Sequence, residues 1–341
     1  GDGFGISVAI SGDTIVVGAI GESSDDGTPE DNLATASGAV YVFVRNEQEQ
    51  WTQQALLKAS NFGVGDFFGN SVSVSGDWLL VGAYSEDGDG SDPADDSADE
   101  AGAAYVFKRD SGGTWTQQAY LKAANAEAAD LFGFNTLLHQ GVAFVSATGE
   151  ASDGSNSSDN SAPIAGAVYA FEADSEGVWQ QTAYLKASNA DSEDFFGVAL
   201  TADDNLVAIS AQGERSNGSG PDDDSLQFAG AVYVFKRIAQ GAYEQAAYIK
   251  SPAPKVFESF GRSVALRGDD LLVGAIGSEQ PDPKDADEPA LLAGGVFRYE
   301  QKAPGQWVYQ EAFASPNPDS DDLFGIGVAL TEHAVIAGAA L

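Results

Sequence analysis

The stretch Phe4–Ala19, FGISVAISGDTIVVGA, decides the fold because it returns at one spacing through the whole chain. It recurs as FGNSVSVSGDWLLVGA from Phe68, FGRSVALRGDDLLVGA from Phe260 and FGIGVALTEHAVIAGA from Phe324, with looser copies from Phe132 and Phe196. Phe4, Phe68, Phe132, Phe196, Phe260 and Phe324 are each 64 residues apart. A fixed period of this length marks a repeat architecture and overrides chain length as a guide to domain number. The expectation is one domain over residues 1–341, with repeats at 1–64, 65–128, 129–192, 193–256 and 257–320 and a partial one at 321–341.

The first repeat serves as the template. Ile6–Ser11 and Thr14–Ala19 are β-branched and aliphatic runs split by Gly12-Asp13, a two-residue hairpin signal. A polar stretch follows from Ile20 to Ser37, and Gly38–Val44, GAVYVFV, reads as a third strand. Its Val40, Val42 and Val44 alternate with Tyr41 and Phe43, so both faces are apolar, as in a sheet packed between two others. WTQQALLKA from Trp51 reads as a more polar fourth strand at the outer edge, where Lys58 would discourage pairing with other chains. Strand 3 returns from Gly102, Gly166, Gly230 and Gly294, and strand 4 from Trp115, Trp179, Tyr243 and Trp307. Four short antiparallel strands per repeat, with no helical periodicity, predict an all-β fold, a β-propeller of four-stranded antiparallel blades.

The succession Asp-x-Phe-Gly, x-Ser-Val-Ala, Gly-Asp, Val-Val-Gly-Ala and Gly-Ala-Val-Tyr-Val-Phe resembles the FG-GAP repeat of integrin α-subunit propellers, and more closely that of secreted bacterial FG-GAP proteins. The resemblance covers the whole chain and implies a propeller, commonly of seven blades, used for adhesion, lectin-like binding or structure. Integrin-type propellers carry an Asp-rich metal loop between strands 1 and 2. Here that connection is only Gly12-Asp13 or its equivalent, so the family's metal ligands do not carry over.

Five full periods leave 21 residues, enough for strands 1 and 2 of a sixth blade. An unclosed blade exposes apolar surface and strand edges. The expectation is therefore part of a six- or seven-bladed propeller in a longer chain, or a blade completed by strand addition from a neighbouring subunit.

The formal charge of −36, from 16 basic and 52 acidic residues, argues against nucleic acid and anionic membrane surfaces as partners. No apolar run approaches the roughly 20 residues that span a bilayer, so membrane insertion is not expected. Without Cys there is neither disulfide nor thiolate chemistry, and the strongly acidic, sulfur-free composition is associated with secretion or a saline environment.

Nearly half of the acidic residues fall in the long loops between strands 2 and 3. In an up-and-down blade these loops share one face, which should be strongly acidic. Within them the acids hold register: Glu22, Glu86, Glu150 and Glu214 are equivalent, as are Asp31, Asp95, Asp159, Asp223 and Asp287, while Asp25, Asp89 and Asp153 follow the recurrent Glu by three residues. Ca²⁺ takes six to eight oxygen ligands, which such loops can supply. One reading is thus a Ca²⁺ site per loop built from Glu22, Asp25 and Asp31; Glu86, Asp89 and Asp95; Glu150, Asp153 and Asp159; Glu214 and Asp223; and Asp287. The other is that the register is inherited by duplication and the acids only solvate the surface.

Asp2, Asp66, Asp130, Asp194, Glu258 and Asp322 sit two residues before each Phe-Gly, where a carboxylate is expected to accept hydrogen bonds from linker amides. His139 and His333 lie at non-equivalent places in strand 1–strand 2 turns and have no motif context, so a non-catalytic protein is expected. The leading function is an extracellular adhesion or assembly module that binds a protein or glycan ligand at the acidic loop face. The alternatives are a self-assembling subunit of a fibre or sheath and a lectin-like propeller.

Overall fold

In a computed structural model of the chain, which describes residues 1–24, 32–90, 95–220, 223–281 and 289–340, each of the five complete repeats folds into the four-stranded meander its pattern predicts. The strands of the first three repeats are β1 Phe4–Ser11, β2 Thr14–Ala19, β3 Ala39–Arg45 and β4 Trp51–Leu57; β5 Val72–Ser75, β6 Trp78–Ala83, β7 Ala103–Arg109 and β8 Trp115–Leu121; and β9 Phe132–His139, β10 Val142–Ala147, β11 Ala167–Ala173 and β12 Trp179–Leu185. Those of the next two are β13 Phe196–Asp203, β14 Leu206–Ala211, β15 Ala231–Ala239 and β16 Ala242–Ile249; and β17 Phe260–Arg267, β18 Asp270–Ala275, β21 Gly295–Ala303 and β22 Gln306–Phe313. A minor ribbon of β19 Gln280–Pro281 and β20 Pro289–Ala290 interrupts the fifth repeat, and β23 Gly327–Leu330 with β24 Val335–Gly338 form a two-stranded sheet at the end. Pairing is antiparallel throughout these sheets and runs 1-2-3-4 in each blade.

Two compact units result: Gly1–Glu150 with Ala167–Leu185, and Ala151–Gly166 with Lys186–Leu341. In the first, alternate residues of one strand serve two cores. Leu79 and Val81 pack with Val16, Val40 and Val42 of the first sheet, and Leu80 packs with Phe132, Ala143 and Val145 of the third. A strand buried on both faces must read as a continuous apolar run, which is why segments such as WLLVGA of β6 lack alternation. The second unit repeats the scheme: Leu271 and Val273 pack with Val232 and Val234, and Leu272 and Val296 with Phe324, Val328 and Leu330.

The Phe of each motif is the wedge between neighbours. Phe68 stands edge-on to Tyr105 at 5.3 Å, Phe132 to Tyr169 at 5.5 Å and Phe196 to Tyr233 at 5.5 Å, all fully buried. Burying a ring of this size stabilises by about 2–3 kcal/mol. Phe4 makes the same contact with Tyr41, at 5.4 Å, yet is 58% exposed. The glycine that opens each strand 3 lets the next wedge dock. Gly38 has φ +82°, and a Cβ there would lie 2.0 Å from the Phe68 carbonyl oxygen; Gly230 has φ +82° with 2.1 Å to that of Phe260. Only glycine satisfies both the left-handed backbone and the contact.

Candidate functional site

The long loops begin with the recurrent glutamate, and the structure turns that side chain inward. In repeat 2, Glu86 is 3% exposed and its carboxylate gathers four donors. Lys122 Nζ donates at 2.9 Å and the Gly88 amide at 3.1 Å to Oε2, while Tyr120 Oη donates at 2.8 Å and Asn61 Nδ2 at 3.0 Å to Oε1. In repeat 1, Glu22 accepts from Lys58 Nζ at 2.9 Å and from the Ser24 amide at 3.0 Å, with Leu56 in the tyrosine's place. Glu150 accepts from Tyr184 Oη at 2.9 Å. In the second unit Glu214 accepts from Lys250 Nζ, from Tyr248 Oη at 2.7 Å and from Asn189 Nδ2 at 3.4 Å; Asn189 Oδ1 in turn accepts from Tyr233 Oη at 2.8 Å.

This corrects two sequence expectations. The recurrent Glu does not belong to an exposed acidic face, and Lys58 does not guard an open edge: it lies just past β4 and forms a buried ion pair. Burying either charge alone costs several kcal/mol, so each requires the other. The signal was in the sequence, since Lys58, Lys122, Lys186 and Lys250 each follow the recurrent Glu by 36 residues. Burial pushes the Glu22 carboxyl up, but hydrogen bonds from Lys58 and Ser24 outweigh it and hold the group below its ordinary value. Burial also pushes the Lys250 ammonium down, against the pull of Glu214.

The recurrent aspartates do something different. Asp95, Asp159 and Asp223 close their own loops: each Oδ2 accepts from the amide six residues earlier, that of Asp89 at 3.5 Å, Asp153 at 3.4 Å and Asn217 at 2.7 Å. The same oxygen accepts from the hydroxyl two residues later, Ser97 at 2.6 Å, Ser161 at shorter range and Ser225 at 2.8 Å. Hydrogen bonds from Ser161 hold the Asp159 carboxyl below its usual value. The Asp89 and Asp153 side chains are exposed. Asp25, Asp31 and Asp287 lie outside the described residues.

From Asp66 onward, the acids two residues before each Phe-Gly behave as expected. Gly63 N donates to Asp66 at 2.6 Å, Glu127 N to Asp130 at 2.9 Å, Asp191 N to Asp194 at 2.9 Å, Lys255 N to Glu258 at 3.2 Å and Asp319 N to Asp322 at 2.8 Å. The inner ones are buried, and burial, with the nearby Glu86, Glu150 and Glu214 charges, pushes Asp66, Asp130 and Asp194 up to about 6, 7 and 8. Burial likewise raises Glu258.

A Ca²⁺ ion needs six to eight converging oxygens. Glu22, Glu86 and Glu214 point at lysine, and Asp95, Asp159 and Asp223 at their own loops; among the described residues no group of three or more acidic or histidine side chains is placed to hold a metal ion. The described residues of these loops therefore do not fit the ion. The two histidines lie in different units, His139 at the end of β9 and His333 in the turn between β23 and β24.

Comparison with known proteins places the repeats. The family described as "FG-GAP repeat" matches residues 1–43, 51–107 and 179–235. Those three segments thus match FG-GAP repeats, and the four-stranded meander sheets are consistent with the blades of a β-propeller. A solved structure of a Lactobacillus plantarum protein is similar over 92% of this chain and 71% of its own, with a TM-score of 0.51 and 12% sequence identity, a likeness of fold alone. A comparison with curated proteins found no match. No helix among the described residues is long and apolar enough to cross a membrane.

Proposed function

We propose that this chain is a non-catalytic, extracellular binding module that presents its long loops to a cationic surface of a protein or glycan partner. The observation that supports it is the division of labour among the acids. The buried glutamates are neutralised within each blade by lysine or hydrogen bonding and hold the base of the loop. Exposed carboxylates such as Asp89, Asp96, Asp99 and Glu100 in the second loop, Asp153 in the third and Asp224 in the fourth are left to face solvent. With a formal charge of −36, such a surface attracts basic partners and repels anionic ones. The loops in this reading are ordered by the ion pairs and aspartate closures, without Ca²⁺.

The test is a screen on protein and glycan arrays at low and high salt, with the wild type beside a D89N/D96N/D99N variant. Salt-sensitive binding that the variant loses supports the reading; binding indifferent to both salt and variant refutes it. A thermal melt with and without EDTA checks the metal-free part. The expected midpoint is unchanged, because a ligand bound only to the folded state must raise apparent stability. A fall on chelation would show that the loops bind a metal after all.

A second reading, as a self-assembling structural subunit, is favoured by β1. Phe4, Ile6, Val8 and Ile10 are all exposed there, whereas the Phe68, Phe132, Phe196 and Phe260 equivalents of Phe4 are fully buried. This reading expects oligomers in light scattering that an I6K substitution disperses; a monomer at all concentrations would dispose of it.

A further inference from the structure

The fifth repeat keeps the backbone of the buried centre and discards its side chains. In the fourth repeat that centre consists of Asn189, Glu214, Tyr233, Tyr248 and Lys250. The positions 64 residues on are Ala253, Ser278, Phe297, Ala312 and Ala314. All three neutral donors, the carboxylate and the ammonium have been lost together. The frame around them is unchanged: Gly230 N donates to Glu214 O at 2.8 Å, and Gly294 N to Ser278 O at 2.9 Å. The linker acid is also retained but longer by one methylene, Glu258 for Asp194, each capped by the amide three residues before it.

Removing a phenol and a butylammonium without collapsing the frame leaves space. A cavity of about 210 Å³ opens here, lined by Ala253, Glu258, Ser278, Phe297 and Ala312 and by the exposed ion pair of Lys255 and Glu279, 2.8 Å apart. Glu258 is 3% exposed. Its Oε1 accepts from Ser251 Oγ at 2.8 Å and Ser278 Oγ at 3.2 Å, and its Oε2 from the Lys255 amide at 3.2 Å. Glu258 holds the place of Asp194, and neither acid is among the ion pairs of the described residues; the Glu214–Lys250 pair of the preceding repeat is replaced here by Ser278 and Ala314. Ala253, Phe297 and Ala312 give the cavity an apolar wall, with the Phe297 ring where the other inner blades carry a tyrosine.

We propose that this cavity is a binding site for a small organic ammonium, its cation on Glu258 and the two serine hydroxyls and its apolar body against Phe297, Ala253 and Ala312. The ligand replaces from solution the lysine and tyrosine groups that the second and fourth repeats supply in cis. A buried carboxylate rewards a cation far more than a neutral donor, and the net charge of the chain disfavours anions. The volume is below the roughly 300 Å³ of ordinary drug-sized pockets, which limits the ligand to about ten heavy atoms. The site lies at the base of the fifth long loop, but it rests on the buried Glu258 and not on the exposed acids of the second to fourth loops that carry the proposed function.

Tyramine joins a phenol to an ethylammonium and is a suitable probe, with 4-ethylphenol as its uncharged counterpart. Calorimetric titration of the full chain is expected to show saturable tyramine binding with one site per chain. Affinity for 4-ethylphenol, and that of an E258Q variant for tyramine, should be lower by about tenfold or more. An A312Y variant, which restores the tyrosine, should lose binding. Where circular dichroism shows A312Y to be misfolded, A253N fills the same space with a smaller side chain and makes the same test. No heat of binding at roughly 10 mM tyramine, or equal affinity in wild type, E258Q and the filled variant, would overturn the proposal, the latter because it would place the amine on the acidic surface instead.

Discussion

Replacing Asp194 by asparagine isolates the energetic effect of a buried linker acid. The side chain is 1% exposed, accepts the Asp191 amide at 2.9 Å, and its carboxyl is pushed up to about 8 by burial, with the charge of Glu214 adding to the effect. In the unfolded chain the group titrates near 3.8. A folded-state value raised above the unfolded one means that the native protein holds a proton the unfolded chain has released. Its contribution to stability is complete below about pH 4 and is lost as pH rises through about 8. The slope in between is about 1.4 kcal/mol per pH unit, so from pH 5 to pH 8 this one group removes on the order of 4 kcal/mol. Asparagine retains the acceptor for the Asp191 amide but cannot ionise. Urea unfolding followed by circular dichroism across that window should therefore show the stability of D194N rising relative to wild type by about that amount as pH increases. Parallel pH profiles for the two proteins would refute the assignment, because they would mean that Asp194 titrates alike in both states.

The Glu86–Lys122 pair predicts non-additivity. E86Q and K122M should each cost about 3–5 kcal/mol by stranding the other partner, and the double variant should cost clearly less than their sum, as read from a double-mutant cycle in urea. G230A strains a backbone at φ +82° and drives a Cβ to 2.1 Å from the Phe260 carbonyl oxygen, so a loss of about 3 kcal/mol or more is expected. A thermal midpoint within a degree of wild type would show that the neighbouring sheet yields.

Much of the fold was legible because its information is local and repeated. Gly12-Asp13 marks a turn by its own chemistry, and the aliphatic runs of β2 and β3 declare strands covered on both sides. The carboxylates before each Phe-Gly were also readable, since they bond to an amide only three residues away. The roles of Glu22, Glu86, Glu150 and Glu214 were not. Register showed that they mattered, but a carboxylate 36 residues from its lysine reads on paper like any other loop acid. Only the meander, which returns strand 4 to the base of the loop, reveals that charge as an internal one.

The amine cavity makes the same distinction at a finer scale. Ala253, Ser278, Phe297, Ala312 and Ala314 are each unremarked substitutions in a list of repeats. The sequence alone determined the period, the strands, the turns and the family of the blade, because those follow from residue type and spacing. Which acids are buried, which close loops and which face solvent was decided only by the tertiary structure. Burial and pairing depend on what lies within 3 Å in space, and for these side chains that neighbour is a strand or a linker away in the chain.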